Sequence, residues 1–466
     1  MAGFIGHEAT DQPPRVGIVG GGPGGLFTAW HLERLASTPL EVTIFEAACR
    51  LGGKVLTPAF TAAPVRYEAG AAELYDYSPV DHDPLRELVR SLGLPTVPLA
   101  GGAVNVGGRP IANLDDVAAA FGPAGRRGLV AFDEWARSAL SPREFYESGS
   151  GSSPADGPSE RFDDTLAAAC PLAVGPYVET LIHSDLATEP ARTTRSYGLQ
   201  NYLMNDPAYM RLYRIAGGNE GLVSALAARL AARVRLDAPV EQVCGEPHGP
   251  VRIRWRERGT LREEAFDVVI LALPVEPLSR LAFAADALEA AMHRHVAHHD
   301  HPAHYLRVTL LIEGPTPRIP ADDDFLMLDA FGGSCLYVET NREPAAGHGV
   351  LGLLVAGAAA AELADRSDEA LVAMTMAALP PGLVPAARRV LEARVHRWVG
   401  AVSAVPGGWI PLSPDRRHQP SAEHPNLFVV GDYLYDSTLN GVLDSAEYVA
   451  GWVAARHEPH GNRPPR

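Results

Sequence analysis

The stretch VGIVGGGPGGLFTAWHLERL, residues 16–35, limits the possible folds more than any other part of the chain. The apolar run 16–19 ends in glycines, and apolar residues then recur at helical spacing from Leu26 to Leu35, a strand, a turn and a helix. A second strand is predicted at EVTIFE, 41–46, which closes a βαβ unit and starts a parallel sheet. Within the turn, Gly20, Gly22 and Gly25 satisfy G-x-G-x-x-G, with Pro23 and Gly24 between them, and Glu46 ends the second strand. The first glycine permits the tight turn. The second lets backbone approach a pyrophosphate with no Cβ in the way, and the third lets the helix pack closely on the sheet. The diphosphate then meets unpaired N–H groups and the positive end of the helix dipole. Glu46 would accept hydrogen bonds from ribose hydroxyls, which suits a ribose without a 2′-phosphate. An acid at this distance in strand, turn, helix context favours a dinucleotide cradle over a glycine turn with no ligand.

At 466 residues the chain exceeds the size at which one core stops growing, so two domains or more are expected. Its net charge of −16 repels phosphate backbones and anionic lipid, which argues against nucleic acid as a partner. Cys49, Cys170, Cys244 and Cys335 form no CxxC pair, so neither a disulfide framework nor a cysteine metal site is expected. The sequence shows no signal-like leader and no uninterrupted apolar stretch of membrane-spanning length, so the expectation is a cytoplasmic protein with no integral membrane segment. Its single lysine is Lys54.

The Ser/Gly/Pro-rich segment 147–164 reads as an exposed, mobile loop. A mainly helical stretch follows up to Arg214; βα alternation then resumes over 214–243, and FDVVILALP, 266–274, reads as a buried parallel strand. Residues 303–313 and 350–357 read as strands of a different sheet.

After Glu46 comes AACRLGGKV, in which Arg50, Gly52, Gly53 and Lys54 occupy the places of an R-x-G-G-R pattern. YEAGAAEL (67–74), PVEQV with Val240, VVILALP and NLFVVGDYLYDSTLNGVLDSAEYVA follow in order. Together these segments resemble the flavoprotein family of amine oxidases, protoporphyrinogen oxidases and carotenoid-type desaturases, over nearly the whole chain. The resemblance implies an α/β fold: a discontinuous Rossmann-like FAD-binding domain with a parallel sheet, over 15–80, 213–283 and 396–456, and an inserted α+β substrate domain over 81–212 and 284–395. Residues 1–14 and 457–466 are expected to be tails. It further implies FAD, with Arg50 and Lys54 near its phosphates and the Val240 backbone beside adenine. Gly431 and Asp432 would meet its phosphate or ribityl region, and Gly441 and Val442 would bring backbone N–H groups and a helix N-terminus to the pyrimidine end of the ring. A positive helix end there favours the negative charge of a reduced flavin. No cysteine lies between Trp398 and Trp409, where some monoamine oxidases attach the flavin, so the FAD is expected to be noncovalent.

The implied chemistry is oxidation of a C–N bond in a small amine or amino-acid-like substrate by hydride transfer to flavin N5, with oxygen or another acceptor taking the electrons; the rivals are C–C desaturation and a redox-neutral flavin-binding protein. Arg307 stands where many amine oxidases carry a lysine that assists the reaction with oxygen. Arginine stays charged and cannot shuttle a proton, which leaves both an oxidase and a dehydrogenase using another acceptor open; the alternative for Arg307 is a surface strand residue. Trp398 and Trp409 persist in the segment that supplies an aromatic cage, Ser403 or Ala404 taking the place of the first aromatic, and Trp409 reads either as a pocket wall or as core. Glu73, with Asp76 nearby, suits a cationic amine or is a solvated acidic edge. The histidines of 293–304 match no standard metal spacing and are expected in a surface linker, with no metal.

Overall fold

The computed structural model describes residues 12–147, 158–315, 319, 323–339, 347–384, 389–410 and 412–457; most of the predicted 147–164 loop and of both tails lies outside them. Arg15–Val19, Glu41–Phe45 and Arg233–Arg235 on one side, and Val268–Leu271 and Leu427–Val429 on the other, make an all-parallel five-stranded sheet with Arg15–Val19 at its centre. Such a sheet must be covered on both faces. Helices Pro23–Leu35 and Leu439–Arg456 cover one face through Leu26, Trp30, Leu443 and Val449. The other face packs Val19, Phe45 and Leu271 against a four-stranded sheet that brings Val243, Trp255 and Phe266. The first and last segments of the chain therefore meet in one layer.

A seven-stranded mixed sheet forms the second body, with Pro302–Glu313 between Val390–Ser403 and His348–Ala356. Alternation along Pro302–Glu313 is the decisive local fact. Leu306, Val308, Leu310 and Ile312 pack with Leu371 of helix Asp368–Ala378, which turns Tyr305 and Arg307 to the opposite face. That face looks toward the glycine turn.

Several expected boundaries shift. Residues 396–403 belong to a strand paired with Pro302–Glu313, and so to the second sheet, because this strand runs on past the point where the first domain was expected to resume. Helix Asp286–His299 packs Leu288 and Met292 into the core of the first body, and helix Pro84–Ser91 does the same with Leu85, Leu88 and Val89. The histidine segment is no surface linker. His295 and His299 are buried on that helix, and burial lowers both imidazole pKa values, His295 to about 3. Among the described residues no group of His, Cys, Asp or Glu is arranged to hold a metal.

Candidate active site

Gly20 leaves the first strand at a φ of 109°, with Ala272 O only 2.4 Å from where a Cβ would stand. At Gly25 a Cβ would lie 2.0 Å from Gly20 O, so helix and turn touch through backbone. Gly22 is different: the nearest atom to its absent Cβ is Gly53 Cα at 3.8 Å, so the space above it is open. Pro23 and Gly24 begin the helix. Glu46 lines the same hollow, its two carboxylate oxygens accepting from the N–H groups of Gly21 and Ala48, both at 2.8 Å.

The hollow is one end of a cavity of about 310 Å³ that continues past Gly53, Lys54, Gly431 and Asp432 to the second sheet. Lys54 Nζ donates to Ala401 O and stands 3.8 Å from Asp432 Oδ2. The helix Leu439–Arg456 begins at the cavity wall with Leu439, Asn440 and Val442. Its cap uses two of the amides expected to face a ligand: Gly441 N–H donates to Thr438 Oγ1 at 3.0 Å and Val442 N–H to Thr438 O at 3.1 Å. Gly441 packs against Asp436 instead, which a Cβ would meet at 2.3 Å. Asn440 Oδ1 is buried and has no partner, while its Nδ2 donates to Asp83.

At the far end stand Glu73, Tyr75, Tyr305, Arg307, Tyr337 and Trp398. Tyr337 donates to Glu73 Oε2 at 3.2 Å. Asp185, on helix Gly175–Leu186, is enclosed near Glu73; burial first, then the Glu73 charge, hold its carboxyl well above the ordinary range. Burial raises the Tyr75, Tyr305 and Tyr337 phenols far above theirs. Trp398 Nε1 donates to Ala69 O at 2.7 Å. Arg307 is 1% exposed and pairs with Glu339, equally buried, so it is not a surface residue. Its guanidinium lies 4.8 Å from the Tyr337 ring centroid, and Nε and Nη1 have no hydrogen-bond partner. Glu339 Oε2 accepts from Glu68 N–H.

Several residues singled out from sequence, Gly25 and Gly441 among them, do not line this cavity. Arg50 braces its own turn, donating to Leu51 O and Gly53 O. Val240 starts a strand of the four-stranded sheet. Trp409 stands over His298 at 4.7 Å and donates to His298 O, beside a second, smaller cavity. Asp76 faces Arg86 at 3.4 Å. Tyr305, Tyr337, Asp185, Glu339 and Asn440 were not anticipated; the signal available for Glu339 was one acid closing the apolar run SCLYV.

A parallel sheet whose glycine turn opens into a cavity lined farther on by Glu73, Tyr75, Tyr305 and Tyr337 is the arrangement of a cofactor-dependent oxidoreductase. The sequence profile of flavin containing amine oxidoreductases matches residues 23–454, and the chain belongs to that family. It is 32% identical over 99 residues to mouse (Mus musculus) prenylcysteine oxidase 1, a segment covering 21% of this chain and 18% of that protein. Putrescine oxidase bound to putrescine superposes with a TM-score of 0.71 at 18% identity, over 96% of this chain and 100% of that one. Cyclohexylamine oxidase from Brevibacterium oxydans gives 0.71 at 16% identity, over 96% and 99%.

The residues present fit a flavin. The open space over Gly22 and Gly53 leaves room for a diphosphate against backbone, and the unpartnered Asn440 Oδ1 suits the imide N–H of an isoalloxazine ring. No helix among the described residues is long and apolar enough to cross a membrane.

Proposed function

We propose that the protein binds FAD noncovalently and oxidises a C–N bond of a small amine or amino-acid-like substrate. Bound FAD supplies a two-electron acceptor for hydride from the substrate carbon. The Gly20–Gly25 turn and Glu46 would hold its adenosine diphosphate half; Lys54, Asp432 and the Leu439–Arg456 helix end would hold its other half. None of the four cysteines lines the cavity, which supports noncovalent attachment.

The observation that carries the amine reading is Glu73 at the aromatic end of the cavity that begins in the cradle, beside Tyr75, Tyr305 and Tyr337. A carboxylate set among phenols attracts an ammonium group and helps to hold it away from water. Arg307 has Nε and Nη1 unpartnered, and either can donate a single hydrogen bond to a polar group of the substrate.

Anaerobic mixing of the yellow protein with amines tests this: bleaching by primary or secondary amines, and none by polyenes or cyclic hydrocarbons, is the expected result. Bleaching by the latter alone overturns it in favour of C–C desaturation, and flavin that no substrate reduces favours a redox-neutral role. Glu73→Gln is expected to raise KM for a cationic amine about tenfold to hundredfold, about 1.4–2.7 kcal/mol, with less change in kcat. An unchanged KM removes Glu73 from the substrate site.

Because Arg307 cannot shuttle a proton and is locked to Glu339, we infer that the electrons pass to an acceptor other than oxygen. Arg307→Lys is expected to speed reoxidation in air; an unchanged reoxidation rate counts against Arg307 lying beside the reacting ring.

A further inference from the structure

The segment Ala401–Ser403 contributes Ala401 and Val402 to the main cavity and Ser403 to a second one of about 70 Å³, against about 310 Å³ for the first. Three elements converge on the smaller cavity: the short helix Pro414–His418 with Arg417, the end of helix Asp286–His299 with His299, and helix Arg195–Leu203 with Gln200. His301 and Trp409 complete one wall.

Arg417 is only 8% exposed. Its Nη1 donates to Leu434 O and its guanidinium lies over the Tyr435 ring at 4.6 Å, but Nε and Nη2 have no partner. These two nitrogens form the side edge of the guanidinium, the edge that receives a carboxylate through two parallel hydrogen bonds. The Nε2 atoms of His299 and His301 are likewise buried and unpartnered. The acid bordering this cavity, Asp436, has its Oδ1 engaged by the hydroxyl and N–H of Thr438. A buried cation facing a cavity with two open donors and two open imidazole nitrogens is costly unless an anion completes it.

We propose that this second cavity binds the carboxylate group of a small organic acid, held side-on by Nε and Nη2 of Arg417 and by the His299 and His301 rings. Its volume admits a group of a few heavy atoms. Neither Arg417 nor either histidine lines the main cavity, so the site is separate from the flavin chamber and independent of the substrate assigned to it.

The test uses the flavin-loaded protein. Sodium acetate, inorganic phosphate and neutral acetamide are titrated at constant ionic strength against chloride, following tryptophan fluorescence, to which Trp409 contributes from the cavity wall, and the thermal midpoint. Saturable acetate binding that acetamide does not mimic is expected. Arg417→Gln is expected to weaken it at least tenfold and His301→Gln several-fold, with flavin content unchanged in both. His301 is only half-buried, so its variant serves if Arg417→Gln does not fold. Acetate behaving as chloride does, binding unaltered in the variants, or saturation by phosphate without acetate each overturns the proposal.

Discussion

Gly25→Ala yields a protein that purifies without its yellow cofactor, its flavin affinity reduced at least about a hundredfold, roughly 2.7 kcal/mol or more. The new Cβ would sit 2.0 Å from the backbone oxygen of Gly20, and no rotamer relieves a clash with main chain. The helix must move off the sheet or the turn must open, and either displaces the amides proposed to cradle a diphosphate. Core contacts of the helix through Leu26, Phe27 and Trp30 remain, so the chain still folds. Gly22→Ala separates the two causes of such a loss. Its Cβ meets nothing closer than Gly53 Cα at 3.8 Å, and its φ of −76° suits alanine, so stability is retained while flavin binding falls, because the methyl occupies the ligand's own space. Gly451→Ala, with nothing within 4 Å of its Cβ, is the control and keeps full flavin content. Flavin absorbance per protein at 450 nm, with urea unfolding, checks all three; a Gly25→Ala protein carrying full flavin means that this helix contact does not shape the cradle.

The glycine turn and its βαβ unit were legible because their physics is local. Gly20 to Glu46 is one βαβ unit, and each glycine's task is set by neighbours within it or by the strand beside it. The substrate end was legible only where a single residue was conspicuous, as with Glu73 and Arg307. Which residues surround them depends on strand register: Arg307 lies opposite Leu354 and His396, while its partner Glu339 follows a strand one further away. No sequence spacing encodes that pairing. Trp409 lies off the main cavity for a related reason: the chain turns at Val405, with φ at 46°, and carries the tryptophan to the second cavity. The histidines read as a polar linker because periodicity does not reveal that a helix buries neutral imidazoles against Tyr433 and Trp409.

Glu339→Gln is expected to destabilise the protein by about 3 kcal/mol, and Arg307→Met combined with Glu339→Gln to recover most of that loss. Both ends of the pair are 1% exposed, so removing one charge leaves the other in a medium that solvates it poorly, whereas removing both leaves a neutral contact. The expected loss stands at the low end of the usual range because Glu68, buried nearby, still raises the Arg307 pKa through its charge. Glutamine can also keep accepting from Glu68 N–H through its carbonyl. The position nonetheless permits no easy escape: a Cβ on Gly352 would touch both partners, at 2.9 Å from Glu339 Oε1 and 3.0 Å from Arg307 Nη2, so the pair fills its niche. Urea unfolding of the flavin-loaded single and double variants supplies the comparison. If the double variant is no more stable than Glu339→Gln alone, the cost does not come from an uncompensated guanidinium. A stable double variant that still binds flavin but has lost turnover means the buried pair is kept for the chemistry at the far end of the cavity, where Arg307 faces Glu73 and the tyrosines, rather than for the fold.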